Sequence, residues 1–134
     1  MATTGARVLI VDDDPALRRL LEVRLRPLEC DVATAGNGEQ ALSAIRKDLP
    51  DLVLLDLQMP RMGGIEVLRA LRKEGINVAT IVITAHGSIE TAVEAMKEGA
   101  NDFITKHHRY RDHTLTIALG RHRLVRLRRF QQTG

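Results

Sequence analysis

Short apolar runs recur along this chain and alternate with stretches of helical spacing, and that alternation restricts the fold more than any other feature. The runs are Val8 to Val11 (VLIV), Val32 to Ala35 (VATA), Leu52 to Leu55 (LVLL) and Thr80 to Thr84 (TIVIT), with a weaker fifth at Asp102 to Thr105. Their β-branched or continuously apolar character reads as strands buried on both faces. Between them, Leu17, Leu20 and Leu21, then Ala41, Leu42 and Ile45, then Val67, Leu68 and Leu71, then Ile89, Ala92, Val93 and Met96 fall at helical intervals. Punctuation agrees: Pro15 suits a first helical turn, Ser88 an N-cap, and Gly75 and Gly99 the positions just past helix ends. Strands alternating with helices require a parallel sheet covered on both faces, because right-handed crossovers put helices above and below it. The expected fold class is α/β, a doubly wound five-stranded parallel sheet.

At 134 residues the chain suits one domain spanning residues 1–134, large enough to bury a core without disulfides or a structural metal. Cys30 is the single cysteine, so neither an intramolecular bridge nor a thiolate zinc site is available, and a reducing cytoplasm is the expected compartment. No apolar run approaches membrane-spanning length, and residues 1–6 lack a secretory pattern. The net charge of +3 hides an asymmetry: Met1 to Thr105 holds 12 Lys/Arg against 16 Asp/Glu, and Lys106 to Gly134 holds 8 against 1. In that basic tail Leu115, Ala118 and Leu119 share a helical face, interrupted by Gly120 at a cost of about 1 kcal/mol relative to Ala. A helix from about Asp112 to Arg129 is expected, with 121–134 as a basic helical extension or linker.

Acidic residues mark the strand ends. Asp12, Asp13 and Asp14 follow the first strand and Asp56 follows the third. In open α/β sheets the ligand crevice lies outside the strand C-termini where strand order reverses, and in the order 2-1-3-4-5 the first and third strands flank it. Clustered carboxylates repel unless a cation lies between them, and an all-oxygen set favours Mg²⁺, with Mn²⁺ as the alternative. The competing reading is that the acidic run merely caps the first helix, the role preferred for Asp14. Met59 to Gly64 reads as a turn that keeps Asp56 exposed at its rim. Thr84 ends the fourth strand and Lys106 follows the fifth. Taken together these groups describe an anion site: a carboxylate nucleophile, a metal, a hydroxyl donor and an ammonium.

The segments VLIVDDD, LVLLDLQMPRMGG, TIVITA and GANDFITK, in that order, resemble the receiver family of bacterial response regulators over Arg7 to Lys106. The resemblance implies a flavodoxin-like (βα)5 domain that takes a phosphoryl group from a sensor histidine kinase or histidine phosphotransfer protein. By position it implies phosphorylation of Asp56, and Mg²⁺ held by Asp13, Asp56 and the backbone carbonyl of Gln58, with Asp12 assisting through water. The resemblance further implies that Thr84 and Lys106 contact the phosphoryl oxygens and that Thr84 and Phe103 form the switch. For Phe103 the alternative is plain core packing. Gln58 and His86 flank the site where the family tunes hydrolysis, and homodimerisation is left open. One departure stands out: Lys106 is followed by His107 where the family has proline. His107, His108 and His113 read as a polar loop rather than a metal cluster.

Two rival functions belong to other classes. Asp12 and Asp14 satisfy the Asp-x-Asp pattern of haloacid-dehalogenase-type phosphohydrolases, but Ala16 replaces the expected Thr and no acidic pair follows the fourth strand. A nucleic-acid-binding module would use the arginines at 121, 123, 126, 128 and 129, yet Val125 stands between Arg121 and Arg128 and breaks the stripe. A signalling phosphoacceptor without a nucleic-acid or membrane contact of its own is the expectation.

Overall fold

A computed structural model of the protein describes residues 6–26, 30–84, 89–105, 114–119 and 123–128. Its order is β1 (Arg7–Val11), α1 (Pro15–Leu25), β2 (Asp31–Ala35), α2 (Gly38–Lys47), β3 (Leu52–Asp56), α3 (Gly64–Lys73), β4 (Ala79–Thr84), α4 (Ile89–Lys97), β5 (Asp102–Thr105), β6 (Thr114–Leu119) and β7 (Arg123–Arg128). The first five strands form one parallel sheet in the order β2-β1-β3-β4-β5.

The period-two alternation of the strands divides the core into two layers. Leu9, Val11, Val53, Leu55 and Val82 face α2 and α3, where Ala41, Leu42, Ile45, Val67, Leu68 and Leu71 pack against them. Val8, Ile10, Leu52, Leu54, Ile81, Ile83 and Ile104 form the opposite layer with Leu21 and Leu25 of α1. The central strands are therefore buried on both faces as expected. β2 is not: Asp31, Ala33 and Thr34 are exposed, because this strand forms the sheet edge.

The helix ends obey local chemistry. Asp14 caps α1, its carboxylate accepting the Ala16 N–H at 2.9 Å, with Pro15 in the first turn. Asn37 caps α2 by accepting the Gln40 N–H at 2.9 Å. Gly63 has no side chain to offer α3, and the bond instead runs from its N–H to Glu66 Oε2 at 3.2 Å. Gly75 and Gly99 take φ of +70° and +112° past the ends of α3 and α4. Ser88 lies outside the described residues.

One helix is borne out with an unexpected packing face, and one expected helix fails. In α4 the sheet-facing residues are Ala92 and Ala95, whereas Ile89, Val93 and Met96 are exposed. Small side chains let this helix lie close to the sheet, and the larger apolar ones turn outward. The helix expected over Asp112 to Arg129 is replaced by antiparallel strands, with Thr114 opposite Arg128 and Leu119 opposite Arg123. The letters of TLTIAL satisfy a two-residue period as well as a helical one, and its β-branched Thr114, Thr116 and Ile117, followed by Gly120, favour the strand. The fifth helix of a (βα)5 pattern is thus absent from residues 114–119 and 123–128.

Candidate phosphoacceptor site

Register brings the acidic residues together. Val11 of β1 pairs with Leu55 of β3, so Asp12 and Asp56, each one residue further on, lie level at adjacent strand tips. One carboxylate oxygen from each of Asp12, Asp13 and Asp56 lies within 4.8 Å of the other two. These groups come from positions more than forty residues apart, and only the parallel pairing of β1 with β3 unites them.

Each carboxylate has a different environment. Asp12 is fully buried: its N–H donates to Ala35 O at 3.1 Å, and its Oδ1 accepts the Asp14 N–H at 2.9 Å. Asp13 is exposed and forms the solvent side of the cluster. Asp56 is only 2% exposed, which corrects the expectation that it stands at the rim; it is the floor of the site. The cause is its place at the end of the central strand, with β1 and β4 on either side and the start of α3 packed on its carbonyl. A Cβ at Gly64 would come within 2.7 Å of Asp56 O, so only glycine allows that approach. The Gln58 N–H donates to Asp56 Oδ1 at 3.0 Å and holds the carboxylate plane. Arg61, in the same turn, adopts a left-handed φ of 67°, a conformation that costs a non-glycine residue roughly 1–2 kcal/mol.

Thr84 ends β4 and is buried, and its hydroxyl has no hydrogen-bond partner among the described residues. An unsatisfied buried hydroxyl costs about 1–3 kcal/mol; Thr84 follows Ile83, the residue that β4 pairs with Asp56 of β3. β5 pairs Thr105 with Thr84. Lys106, next in the chain, lies outside the described residues, as do His86, His107, His108 and His113. Phe103 is half-buried against the layer beneath α2 and α3.

The donor set fits a hard divalent cation. It is all oxygen, combines buried and exposed carboxylates, and includes no His or Cys. A family model for the response regulator receiver domain matches residues 8–118. The chain is a member of that receiver family, the signalling module of two-component systems. It is 43% identical over 97 residues to the regulatory protein LuxO of Vibrio cholerae, covering 72% of this chain and 21% of LuxO. It is also 43% identical over 106 residues to the DNA-binding response regulator MtrA of Mycolicibacterium smegmatis, covering 79% of this chain and 46% of MtrA. The chain therefore spans less than half the length of these relatives. Among solved structures, the receiver domain of NtrX from Brucella abortus superposes with a TM-score of 0.71 at 35% identity, covering 78% of this chain and 87% of that one. The signal receiver domain of a putative LuxO repressor from Vibrio parahaemolyticus gives 0.72 at 34% identity, covering 76% and 78%. The family assignment displaces the dehalogenase reading. Among the described residues, no helix is long and apolar enough to cross a membrane.

Reasoning from sequence did not single out Arg18, whose guanidinium Nη1 donates to Asp12 O at 2.6 Å. Its position on the second turn of an amphipathic helix carries no signal that it folds back toward the acidic loop.

Proposed function

We propose that this receiver domain accepts a phosphoryl group onto Asp56 from the phosphohistidine of a sensor histidine kinase or histidine phosphotransfer protein. The observation that carries the reading is the convergence of Asp12, Asp13 and Asp56 from two strand tips, with the buried Thr84 hydroxyl at the tip of the neighbouring β4 lacking a hydrogen-bond partner among the described residues. Mg²⁺, or Mn²⁺ in its place, would be held by Asp12, Asp13, Asp56 and the Gln58 carbonyl. When bound, the ion offsets the carboxylate charge and that of the incoming phosphoryl oxygens.

An ionised carboxylate is already a nucleophile and needs no general base. An Asp56 oxygen attacks phosphorus, the P–N bond to the donor imidazole breaks, and its electron pair returns to nitrogen. Gln58 N–H orients the carboxylate for that in-line approach. The Thr84 hydroxyl donates to a phosphoryl oxygen, and Lys106 supplies an ammonium to another. Chemistry of this kind makes the domain a self-catalysing phosphoacceptor rather than a turnover enzyme. Movement of Thr84 toward the new phosphoryl group, with rotation of Phe103, would alter the surface of α4 and β5. Exposed Ile89, Val93 and Met96 support an output role for that surface, including pairing with a second copy.

The chain reads as one receiver domain acting in the cytoplasm, with 121–134 a basic extension and no nucleic-acid contact of its own. Incubation with a small acyl phosphate and Mg²⁺, followed by intact-mass measurement, tests the central reading. One labile phosphoryl adduct is expected on the wild type, none on Asp56→Asn, and little without Mg²⁺ or with Asp13→Ala. An undiminished adduct on Asp56→Asn would overturn the assignment.

A further inference from the structure

At least three hydrogen bonds hold Asp12, and one of them comes from a side chain with no role in the reading above. Its N–H goes to Ala35 O and its Oδ1 to the Asp14 N–H. Its carbonyl accepts from Arg18 Nη1 at 2.6 Å. That carbonyl belongs to the peptide linking Asp12 to Asp13, so whatever fixes its plane also fixes the direction in which Asp13 leaves the backbone.

The guanidinium is seated rather than free. A Cβ at Gly36 would stand 3.2 Å from Arg18 Nη1 and 3.4 Å from Gln40 Oε1, and the Gly36 N–H is itself bonded to that oxygen at 2.9 Å. Arg18 thus occupies a slot between the β1–α1 turn and the end of β2, bounded by a residue without a side chain. Its placement is also unfavourable for the helix that carries it. A cation folded back toward a helix N-terminus opposes the macrodipole, and α1 has no acidic residue in its first turn. The nearby carboxylates offset this.

We propose that Arg18 is a positioning residue for the metal site, fixing the Asp12–Asp13 peptide so that both carboxylates are aimed at one ion. This rests on the reading of the acidic cluster as a divalent-cation site. Arg18 acts on the ion in two opposed ways. Its charge repels a divalent cation, whereas its hydrogen bond preorganises the ligands. Residues that orient metal ligands typically contribute 10–100-fold in affinity, so orientation outweighs repulsion at a partly exposed position where charge is screened.

The sign of the effect makes the test decisive. Mn²⁺ titration of the full chain, followed by loss of the free-ion electron paramagnetic resonance signal, reads binding without any phosphoryl transfer. Arg18→Ala should weaken Mn²⁺ binding about tenfold while keeping the far-ultraviolet circular dichroism of the wild type. Arg18→Lys keeps the charge but not the planar donor fork, and should fall between the two. Gly36→Ala crowds the guanidinium without touching a carboxylate and should weaken binding in the same direction, to a smaller extent. Mn²⁺ binding by folded Arg18→Ala that equals or exceeds the wild type would overturn the proposal and leave Arg18 a mere charge. If Arg18→Ala does not fold, Gly36→Ala decides, and unchanged affinity there refutes the idea. Absence of Mn²⁺ binding to the wild type would instead remove the metal reading itself, and this inference with it.

Discussion

Neutralising Asp13 should stabilise the metal-free protein and destabilise the metal-bound one relative to wild type. One carboxylate oxygen from each of Asp12, Asp13 and Asp56 lies within 4.8 Å of the other two. At that separation each like-charge pair is repelled by about 0.9 kcal/mol in a water-like dielectric and about 3.5 kcal/mol at an effective constant of 20. Asp13 is exposed, so the lower figure applies, and Asp13→Asn removes two such pairs. Screening over a Debye length of about 8 Å at physiological salt roughly halves the sum. The net gain is about 1 kcal/mol, or about 3–5 °C in Tm for a domain of this size. Mg²⁺ at about 100 times its Kd should stabilise the wild type by about 2.7 kcal/mol, a gain largely denied to the variant. The order of stabilities therefore inverts between EDTA and Mg²⁺. Circular dichroism is the suitable probe, because the chain has no tryptophan. Raising salt to 1 M in EDTA should erase most of the variant's advantage, since screening then acts within about 3 Å. A variant less stable than wild type in EDTA, or two proteins that keep the same order in both buffers, would show that the three carboxylates do not share an ion.

Gly64→Ala should destabilise the domain by about 1–3 kcal/mol and reduce phosphoryl adduct formation, because the new methyl meets the backbone atoms Asp56 O and Leu57 Cα as well as Leu57 Cδ2, and the backbone cannot yield; urea unfolding and intact mass report both. Arg61→Asn should raise stability by about 1 kcal/mol, since asparagine tolerates the left-handed φ of 67° better than arginine, and a lower urea midpoint would contradict that account. Glu74 should titrate below the usual glutamate range because the Arg46 side chain hydrogen-bonds to it. A depressed carboxylate contributes stability above its unfolded pKa and loses that contribution as pH falls through the folded value. Carboxyl NMR titration should therefore show the Glu74 midpoint rising in Arg46→Ala, and an unmoved midpoint would rule out the ion pair as the cause.

Much of the architecture was legible in the residue order. Continuous apolar runs such as LVLL admit little besides a doubly covered strand, and Asp14-Pro15 announces a helix start by chemistry confined to three residues. The packing face of α4 and the conformation of residues 114–119 and 123–128 escaped the sequence for one reason. In each, the same apolar letters fit more than one arrangement, and sequence spacing cannot say which surface is already occupied. Ala92 and Ala95 rather than Val93 meet the sheet, a choice made by how closely the helix approaches.

The site divides in the same way. Acidic residues at the ends of two apolar strands marked Asp12, Asp13 and Asp56, with helix capping as the competing use, whereas Thr84 drew notice only in combination with them and through the family resemblance. The convergence of the three carboxylates, the burial of Asp56, the lack of a partner for the Thr84 hydroxyl among the described residues and the hold of Arg18 on the Asp12 carbonyl are products of tertiary structure. Periodicity is a property of neighbours along a chain and can be read from it. Distance between strand tips depends on register and crossover, which emerge only when the sheet has closed around its core.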